Sequence, residues 1–308
     1  MSWKVAVTPR SFGKNGTLPF DLLRAKGFEV VTNPYGRILE KSEMIELLRD
    51  ADAVIVGVDP LDAEVLDHAK ALKVISKYGV GTDNIDMEHA ARRGIRVDVA
   101  AGANKDAVAD FAFALMLAAA RRIVPIDRGC RALDWRKETA VDVFGRTLGL
   151  VGLGAIGKGV AERAKGFRMK VLAYDQYQDP AYAAANGVEY VPLDRLLRES
   201  DFISLHAPLT DETRHIIGPV AFEAMKPTAV VVNTARGGLI DEKALLRALR
   251  ERRIWGAGID VFAQEPPEDR ELLELDNIVI GSHTAASTFQ AIENMSVMAA
   301  ENVIKYYE

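Results

Sequence analysis

Three glycines in the pattern G-x-G-x-x-G place the strongest constraint on how this chain of 308 residues folds. Gly152, Gly154 and Gly157 follow the apolar stretch "TLGLV" and run into the helix-like segment "AIGKGVAERAKG". The next apolar stretch, "KVLAY", is followed directly by Asp175. This order of strand, glycine turn, helix, strand and acid is typical of a βαβ unit in a parallel sheet. The sequence therefore predicts such a unit here.

Each part of this pattern suits one part of a bound dinucleotide. Gly152 allows the tight turn, Gly154 lets the backbone approach a pyrophosphate, and Gly157 permits close packing of helix on strand, while the helix N-terminus faces the phosphate charge. Asp175 would accept hydrogen bonds from the adenosine ribose hydroxyls and would repel a 2′-phosphate. The residues that follow, "QYQDP", contain no Arg or Lys to bind that phosphate. The predicted cofactor is therefore NAD rather than NADP.

Short apolar strands alternate with helical segments along almost the whole chain, which predicts an α/β protein with parallel sheets. One series runs from "KVAVTP" to "RVDVA", and a second runs from "TLGLVGL" to "NIVIGSH". Between them, "NKDAVADFAFALMLAAARRIVPIDRG" reads as one long helix that is apolar on nearly every face. We expect that helix to be buried at a domain or subunit boundary. Two α/β domains are the simplest interpretation.

Composition excludes several other classes of protein. The net charge of -5 and the absence of a long basic run argue against a nucleic-acid partner. A single cysteine, Cys130, excludes an intrachain disulfide and offers no metal-binding spacing, so we expect no metal site and a reducing compartment. The N-terminus does not resemble a secretion signal, and no apolar run reaches the roughly 20 residues that span a bilayer. We expect a cytoplasmic protein without a membrane partner.

Three side chains suited to acid–base chemistry and anion binding follow successive strands of the second series. Arg236 follows "AVVVNTA", Glu265 follows "GIDVF", and His283 follows "NIVIGS". The carboxyl ends of parallel strands share one edge, where ligands bind, although a lone turn arginine or glutamate is also common on a protein surface. Imidazole titrates near neutral pH, so His283 is the candidate acid or base, with Glu265 orienting it. Arg236 would clamp a carboxylate and the adjacent carbonyl of a substrate.

At these residues the sequence resembles the D-isomer-specific 2-hydroxyacid dehydrogenases, over essentially the whole chain. The matching pieces are "YGVGTDNID", "GLVGLGAIG", "LHAPLTDETRHII", "VVNTARGGLIDEKAL", "DVFAQEPP" and "SHTAAST". The resemblance implies two domains of Rossmann-like or flavodoxin-like fold with a cleft between them, and a homodimer built around the long helix and the segment after it. It implies a substrate-binding domain of residues 1–101 plus 286–308 and an NAD-binding domain of residues 102–285. The final helix, about residues 287–307, would cross back to the substrate-binding domain.

The resemblance also implies a role for individual positions. Arg236 becomes the substrate-binding arginine, Glu265 the partner of the histidine, and His283 the proton donor or acceptor. The substrate, a small anionic 2-hydroxy or 2-keto acid, would meet Lys77, Tyr78, Gly79, Val80, Gly81 and Asn104. The cofactor would meet Gly152, Gly154, Ala155, Ile156, Gly157, Asp175, His206, Ala207, Pro208, Thr213, Thr234, Ala235, Asp260 and Ala285.

Within the family, "EPPEDRELLELDNIV" and "HTAASTFQAIENM" are most similar to the D-3-phosphoglycerate dehydrogenases. The expected reaction is oxidation of D-3-phosphoglycerate or reduction of 3-phosphohydroxypyruvate, with Lys77, Arg136 and Lys137 as candidate cations for the phosphate. The chain departs from that branch because Lys77 stands where arginine is usual, "AAGAN" replaces the usual hinge, and Asp110 replaces a glutamate. It also ends at Glu308, so we expect no appended regulatory domain. The alternatives are a hydroxypyruvate or glyoxylate reductase and a non-catalytic NAD(H)-sensing protein.

Overall fold

The computed structural model describes residues 3–267 and 270–308, so two residues of "EPPEDRELLELDNIV" lie outside the described part. The chain divides into two compact units, Met1–Asn104 with Ala286–Glu308, and Lys105–Ala285. The first boundary falls at Asn104 rather than after residue 101, because Lys105 is the first residue of a helix that packs within the second unit.

Unit 1 contains a five-stranded parallel sheet in the order β2-β1-β3-β4-β5, the flavodoxin-like arrangement. Its described strands are β1 (Lys4–Val7), β2 (Glu29–Thr32), β3 (Ala53–Val56), β4 (Val74–Lys77) and β5 (Arg96–Val99). Its described helices are α1 (Leu18–Ala25), α2 (Lys41–Leu48), α3 (Ala63–His68), α4 (Met87–Arg92) and the C-terminal α13 (Phe289–Tyr307).

Both faces of this sheet are covered, which explains why its central strands read as continuous apolar runs. Every residue of β3 is fully buried. Residues of α2 and α3 form the core on one face, and the apolar stripe of α13 packs on the other with Leu23 of α1. The C-terminal helix therefore belongs to the same core as the first strand of the chain.

Unit 2 contains a seven-stranded parallel sheet in the order β12-β11-β10-β9-β6-β7-β8. Its described strands are β6 (Thr147–Val151), β7 (Lys170–Tyr174), β8 (Val188–Tyr190), β9 (Phe202–Leu205), β10 (Val230–Asn233), β11 (Gly256–Ile259) and β12 (Ile278–Ile280). Its described helices are α5 (Lys105–Ala120), α6 (Ile123–Arg131), α7 (Ala155–Gly166), α8 (Pro180–Asn186), α9 (Leu193–Glu199), α10 (Pro219–Ala224), α11 (Glu242–Arg250) and α12 (Arg270–Glu274), with a 3-10 turn at Gly237–Leu239.

The strand order of the second sheet is that of a dinucleotide-binding fold. Successive strands are added on one side of β6 as far as β8 and then on the other side from β9, so the order reverses between β6 and β9. A crevice opens at the carboxyl ends of two such neighbouring strands, because their connections leave in opposite directions. The predicted α/β class with Rossmann-like and flavodoxin-like units is confirmed. The short edge strand β8 was not predicted.

The segment predicted as one long helix is two helices, α5 and α6. Arg122 between them has a φ of 52°, in the left-handed region. The break follows from Pro125, which lacks an N–H and whose ring would clash with the carbonyl of Arg121 if the helix ran on. The burial of α5 is explained within unit 2, because Leu115 of this helix packs against Gly258 of β11. A Cβ added at Gly258 would lie 2.7 Å from the Cβ of Leu115.

Candidate active site

The glycine turn of unit 2 lies where the strand order reverses. Gly152 follows β6 with a φ of 98°, and a Cβ added there would lie 2.6 Å from the carbonyl carbon of His206, which follows β9. A Cβ added at Gly157 would lie 2.3 Å from the carbonyl oxygen of Gly152, so neither position accepts a side chain. At Gly154, in contrast, a Cβ would meet no atom within 4 Å. Protein packing therefore requires the first and third glycines, whereas the middle one borders open space at the N-terminus of α7.

Asp175 at the end of β7 is fixed against this turn. Its Oδ2 accepts a hydrogen bond of 2.6 Å from Leu153 N, and its Oδ1 accepts one of 2.8 Å from Tyr177 N. A carboxylate has about four acceptor positions, so two remain for hydroxyl donors. This geometry suits an adenosine ribose held beside the turn.

His206 lines the same edge of the sheet in a neutral state. Burial of its ring lowers the pKa of His206 to about 3, which excludes it as an acid near neutral pH. Its Nε2 and the hydroxyl of Ser204 are 2.8 Å apart, while its Nδ1 and the Thr234 hydroxyl are buried without a hydrogen-bond partner. Buried polar atoms are rarely left unpaired, so both point to a polar ligand. Together with the open space at Gly154, they fit a bound dinucleotide.

The other residues predicted to bind the cofactor also lie in unit 2. Ala155, Ile156 and Gly157 form the first turn of α7, and Ala207 and Pro208 follow β9. Thr213 donates a hydrogen bond of 2.7 Å to the carbonyl of Pro208, which shapes that loop. Ala235 follows β10, and Ala285 is the last residue of the unit.

Arg236 follows β10 in a loop that packs tightly on the next one. Asn233 Nδ2 donates to its carbonyl at 2.8 Å, and its own Nη1 donates to Ala235 O at 2.7 Å. A Cβ at Gly237 would lie 1.9 Å from the carbonyl carbon of Phe262, in the loop after β11. The glycine after the arginine therefore brings two loops together, and the second of them carries Glu265.

Glu265 and His283 form a hydrogen-bonded pair. His283 Nδ1 lies 2.8 Å from Glu265 Oε2, and Phe262 N donates to Glu265 Oε1 at 3.0 Å. A carboxylate accepts hydrogen bonds and does not donate them, so Nδ1 carries the proton and Nε2 is left for exchange with a substrate. The His283 side chain is 45% exposed and that of Glu265 37%, so the pair is not enclosed by the protein.

Asp260, at the end of β11, holds the backbone that carries His283. Its two carboxylate oxygens accept hydrogen bonds from Thr284 N at 3.0 Å and Ala285 N at 2.9 Å, and its carbonyl accepts one from His283 N. Burial raises the pKa of Asp260, against the opposing effect of these amide donors. His283 has a φ of 54°, a conformation that a non-glycine residue keeps only when its surroundings hold it. Asp260 supplies that constraint.

The residues predicted to bind substrate in unit 1 do not all face solvent. Gly79, with a φ of 124°, Val80 and Gly81 form the turn after β4, and the buried Oδ1 of Asn104 has no hydrogen-bond partner. The hydroxyl of Tyr78 donates to the carbonyl of Ile292 in α13 at 3.2 Å, inside the unit.

Lys77, one of the three candidate cations for a phosphate, is enclosed by its own unit. It is only 5% exposed, and its ammonium group donates to the carbonyl of Gly57 and to Asn84 Oδ1. The other two candidate cations lie in an exposed segment of unit 2. Arg136 is paired there with Asp134 at 2.6 Å, and Lys137 follows it.

Two further residues, one in each unit, were not singled out from the sequence. Glu242, the first residue of α11, accepts a hydrogen bond of 2.6 Å from Ala263 N and so braces the loop of Glu265. Asn84 contacts Lys77 across the unit 1 turn. Glu242 acts on the distant backbone of Ala263, and Asn84 also donates to the carbonyls of Gly57 and Asp59, contacts that no local pattern reports. Within residues 3–267 and 270–308, no group of three His, Cys, Asp or Glu side chains could hold a metal ion, and no helix is long and apolar enough to cross a membrane.

Comparison with known proteins agrees with this geometry. Residues 113–285 match the model of the NAD-binding domain of D-isomer specific 2-hydroxyacid dehydrogenases. A glyoxylate reductase of Korarchaeum cryptofilum is 48% identical over 274 residues, covering 86% of this chain and 82% of the relative. A D-3-phosphoglycerate dehydrogenase of Methanocaldococcus jannaschii is 44% identical over 271 residues, covering 87% of this chain and 52% of the relative.

A solved structure extends the similarity over the whole chain. The glyoxylate reductase structure from Paecilomyes thermophila superposes with a TM-score of 0.89 at 31% identity and covers 100% of this chain and 96% of that one. The likeness therefore includes both units and is not confined to the nucleotide-binding half.

Proposed function

The chain belongs to the D-isomer specific 2-hydroxyacid dehydrogenase family and is an NAD-dependent oxidoreductase that acts on the CH–OH group, and we propose that it reduces a small, unphosphorylated 2-ketoacid such as glyoxylate or hydroxypyruvate. The observation that carries the choice of substrate is the burial of Lys77, one of the three candidate cations for a phosphate. The identity to a glyoxylate reductase supports the same choice.

In the proposed reduction, each side chain has a distinct task. Arg236 binds the carboxylate and the carbonyl oxygen of the ketoacid through two N–H groups, which also draws charge toward that oxygen. His283 delivers a proton from Nε2 to the same oxygen, and Glu265 stabilises the protonated imidazole through Nδ1. NADH, when bound, supplies the hydride. The backbone amides of Gly79, Val80 and Gly81 complete the binding of the carboxylate, as the family resemblance implies.

A second candidate is the oxidation of D-3-phosphoglycerate, favoured by the identity to a D-3-phosphoglycerate dehydrogenase. Arg136 and Lys137 would then have to bind the phosphate, because Lys77 is enclosed. A phosphate dianion without a matching cation would bind weakly. This candidate therefore requires Arg136 to exchange its pairing with Asp134 for a contact with the phosphate, or Lys137 to make that contact.

Rates of NADH oxidation with glyoxylate, hydroxypyruvate and 3-phosphohydroxypyruvate, compared as kcat/KM on one preparation, test the assignment. We expect at least ~10-fold preference for an unphosphorylated acid, since a site that lacks a partner for a phosphate discriminates against it. A preference for 3-phosphohydroxypyruvate would favour the second candidate. Tight NADH binding without turnover of any of the three would instead indicate a nucleotide-sensing protein.

We also propose that the protein is a homodimer, built on α6 and the segment after it. None of the residues of α6 is buried, although Ile123 and Ile126 are apolar, and the neighbouring Leu133 and Trp135 are 84% and 77% exposed. Contiguous apolar surface of this kind marks an interface. Light scattering after size-exclusion chromatography should give twice the chain mass for the wild type and a smaller mass for Leu133→Ser with Trp135→Ser. Val220→Ser, equally exposed in α10, is the control, and a monomeric wild type would contradict the proposal.

A further inference from the structure

Lys77 lies in a buried polar network at the carboxyl ends of three strands of unit 1. It is the last residue of β4, and its ammonium group donates to the carbonyl of Gly57, just after β3, and to Asn84 Oδ1 at 2.7 Å. A buried ammonium group must be compensated by hydrogen-bond acceptors, and both of these oxygens lie within its own unit. The side chain is thus used for internal structure.

Asn84 forms hydrogen bonds with the same backbone segment that Lys77 contacts, the one that follows β3. Its Nδ2 donates to the carbonyl of Gly57 at 3.2 Å and to that of Asp59 at 2.6 Å, and its own carbonyl accepts a hydrogen bond of 2.8 Å from Leu61 N. Asp59 is 3% exposed, and its carboxylate accepts hydrogen bonds from the Thr8 hydroxyl and from Leu39 N. The network therefore fixes Asn84 from several directions.

Lys77 and Asn84 flank the turn of residues 78–83. Their side-chain hydrogen bond closes this turn at its base, and Ala100 N ties it to β5 through the carbonyls of Gly79 at 2.9 Å and Lys77 at 3.1 Å. Gly79 adopts its φ of 124° inside the closed turn. The direction in which the amides of residues 79–81 point is thus set by contacts at the two ends of the turn.

We propose that Lys77 is a positioning residue, which fixes the base of this turn and thereby aims the amides of Gly79, Val80 and Gly81 at the substrate carboxylate. This inference rests on the proposed function, because it takes those amides as the carboxylate-binding group. Lys77 does not touch the substrate, and its effect is on how well the turn is preorganised. Preorganised amides bind a carboxylate more tightly than amides that must first be ordered.

Lys77→Met tests the proposal, with Lys73→Met as its control. Lys73 is exposed and immediately precedes β4, at the opposite end of the strand, so the control makes the same substitution away from the turn. For Lys77→Met we expect KM for glyoxylate to rise about tenfold or more, with kcat within about threefold of the wild type, the pattern of lost ground-state binding. The Kd for NADH should not change, since the nucleotide residues belong to unit 2. The control should match the wild type in all three.

Two results would overturn the proposal. One is a loss of kcat with KM unchanged, which indicates a smaller folded fraction or a lost transition-state interaction and not weaker binding of the substrate carboxylate. The other is a loss confined to 3-phosphohydroxypyruvate with the glyoxylate KM unchanged, which would make Lys77 a direct phosphate contact. If Lys77→Met does not fold, Asn84→Ala replaces it, because this change removes the acceptor for Lys77 and also the donors to Gly57 and Asp59. The same rise in KM is expected, and an unchanged KM again overturns the proposal.

Amide hydrogen exchange separates this inference from the proposed function. Lys77→Met, or Asn84→Ala in its place, should show faster exchange in the peptide covering residues 78–85 than the wild type does, whether or not a substrate is turned over. If the wild type reduced no ketoacid while this exchange still rose, the function would fail and the structural role of Lys77 would stand. Unchanged exchange in that peptide would contradict the role of Lys77 itself.

Discussion

His283 donates a hydrogen bond of 2.8 Å from Nδ1 to Glu265 Oε2, and Phe262 N holds the other oxygen of this carboxylate at 3.0 Å. The glutamate thus has one oxygen anchored to backbone and one presented to the imidazole. That arrangement sets the tautomer of the ring, and it leaves Nε2 as the nitrogen that exchanges a proton.

Glu265→Gln should reduce kcat for ketoacid reduction by about 10–100-fold, because a neutral amide does not stabilise the protonated imidazole and must turn one N–H toward a donor. Steady-state kinetics with NADH, together with the Kd for NADH, measure the effect. The Kd should not change. Glu223→Gln, which removes the same charge at an exposed position of α10, should behave as the wild type. A kcat for Glu265→Gln within twofold of the wild type would contradict the role of this pair.

Asp260→Asn should lower both stability and kcat. In the same position an amide presents one oxygen and one NH2 group to Thr284 N and Ala285 N, so one buried N–H faces a donor and the backbone of His283 loses a constraint. We expect the free energy of unfolding to fall by about 1–3 kcal/mol in urea unfolding.

Asp201→Asn is the matched control for Asp260→Asn. Asp201 also accepts a hydrogen bond from backbone, Thr147 N at 2.9 Å, but it lies at the amino end of β9. Its substitution should lower stability without a comparable loss of kcat per folded molecule. Equal effects of the two variants on kcat would show that Asp260 does not act through His283.

Local patterns predicted the regular parts of this fold well. The strand "AVIV" is buried on both faces, and its continuous apolar run shows this in the sequence. The turn at Gly152 needs glycine because a side chain would clash with backbone, and the G-x-G-x-x-G pattern shows this. The break at Arg122 was also open to prediction, because Pro125 stands inside the helical pattern. Apolar periodicity alone predicts a single helix, and that prediction is wrong.

Side-chain environments set by distant backbone could not be predicted in this way. Lys77 ends an apolar strand, as a ligand-binding cation would, yet its partner Gly57 is brought to it only by the packing of β3 beside β4. The support of His283 by Asp260 likewise depends on the pairing of β11 with β12. Sequence spacing indicates which strand end carries a residue, but not which oxygen its side chain meets.

Gly154→Ala should weaken NADH binding while leaving the fold intact. The backbone of Gly154 has a φ of -71°, and an added Cβ meets no protein atom within 4 Å, so alanine introduces no strain. The methyl group would instead occupy space at the N-terminus of α7 that the pyrophosphate needs. We expect the Kd for NADH, measured by fluorescence, to rise at least ~10-fold, with the thermal midpoint within a few degrees of the wild type.

Gly166→Ala is the control for the glycine turn. Gly166 is the last residue of α7, and an added Cβ there also meets nothing within 4 Å. Alanine favours a helix more than glycine does, so this variant should be as stable as the wild type or slightly more stable. Its Kd for NADH should equal that of the wild type. Normal NADH binding by Gly154→Ala would place the pyrophosphate elsewhere.

The buried ring of His206 should make stability depend on pH in acid. Burial lowers the pKa of His206 to about 3, below the value of about 6.5 for an unfolded chain. Between those values the unfolded chain binds a proton that the folded chain does not, so stability falls as the pH drops below 6.5 and is unaffected by this group above it. Urea unfolding at pH 7.5, 6.0 and 5.0 should show wild type losing stability relative to His206→Gln by up to ~1.4 kcal/mol per pH unit. His68→Gln, at an exposed site in α3, should show the same change of stability with pH as the wild type. Parallel curves of stability against pH for the wild type and His206→Gln would contradict the neutral, buried state of the His206 ring.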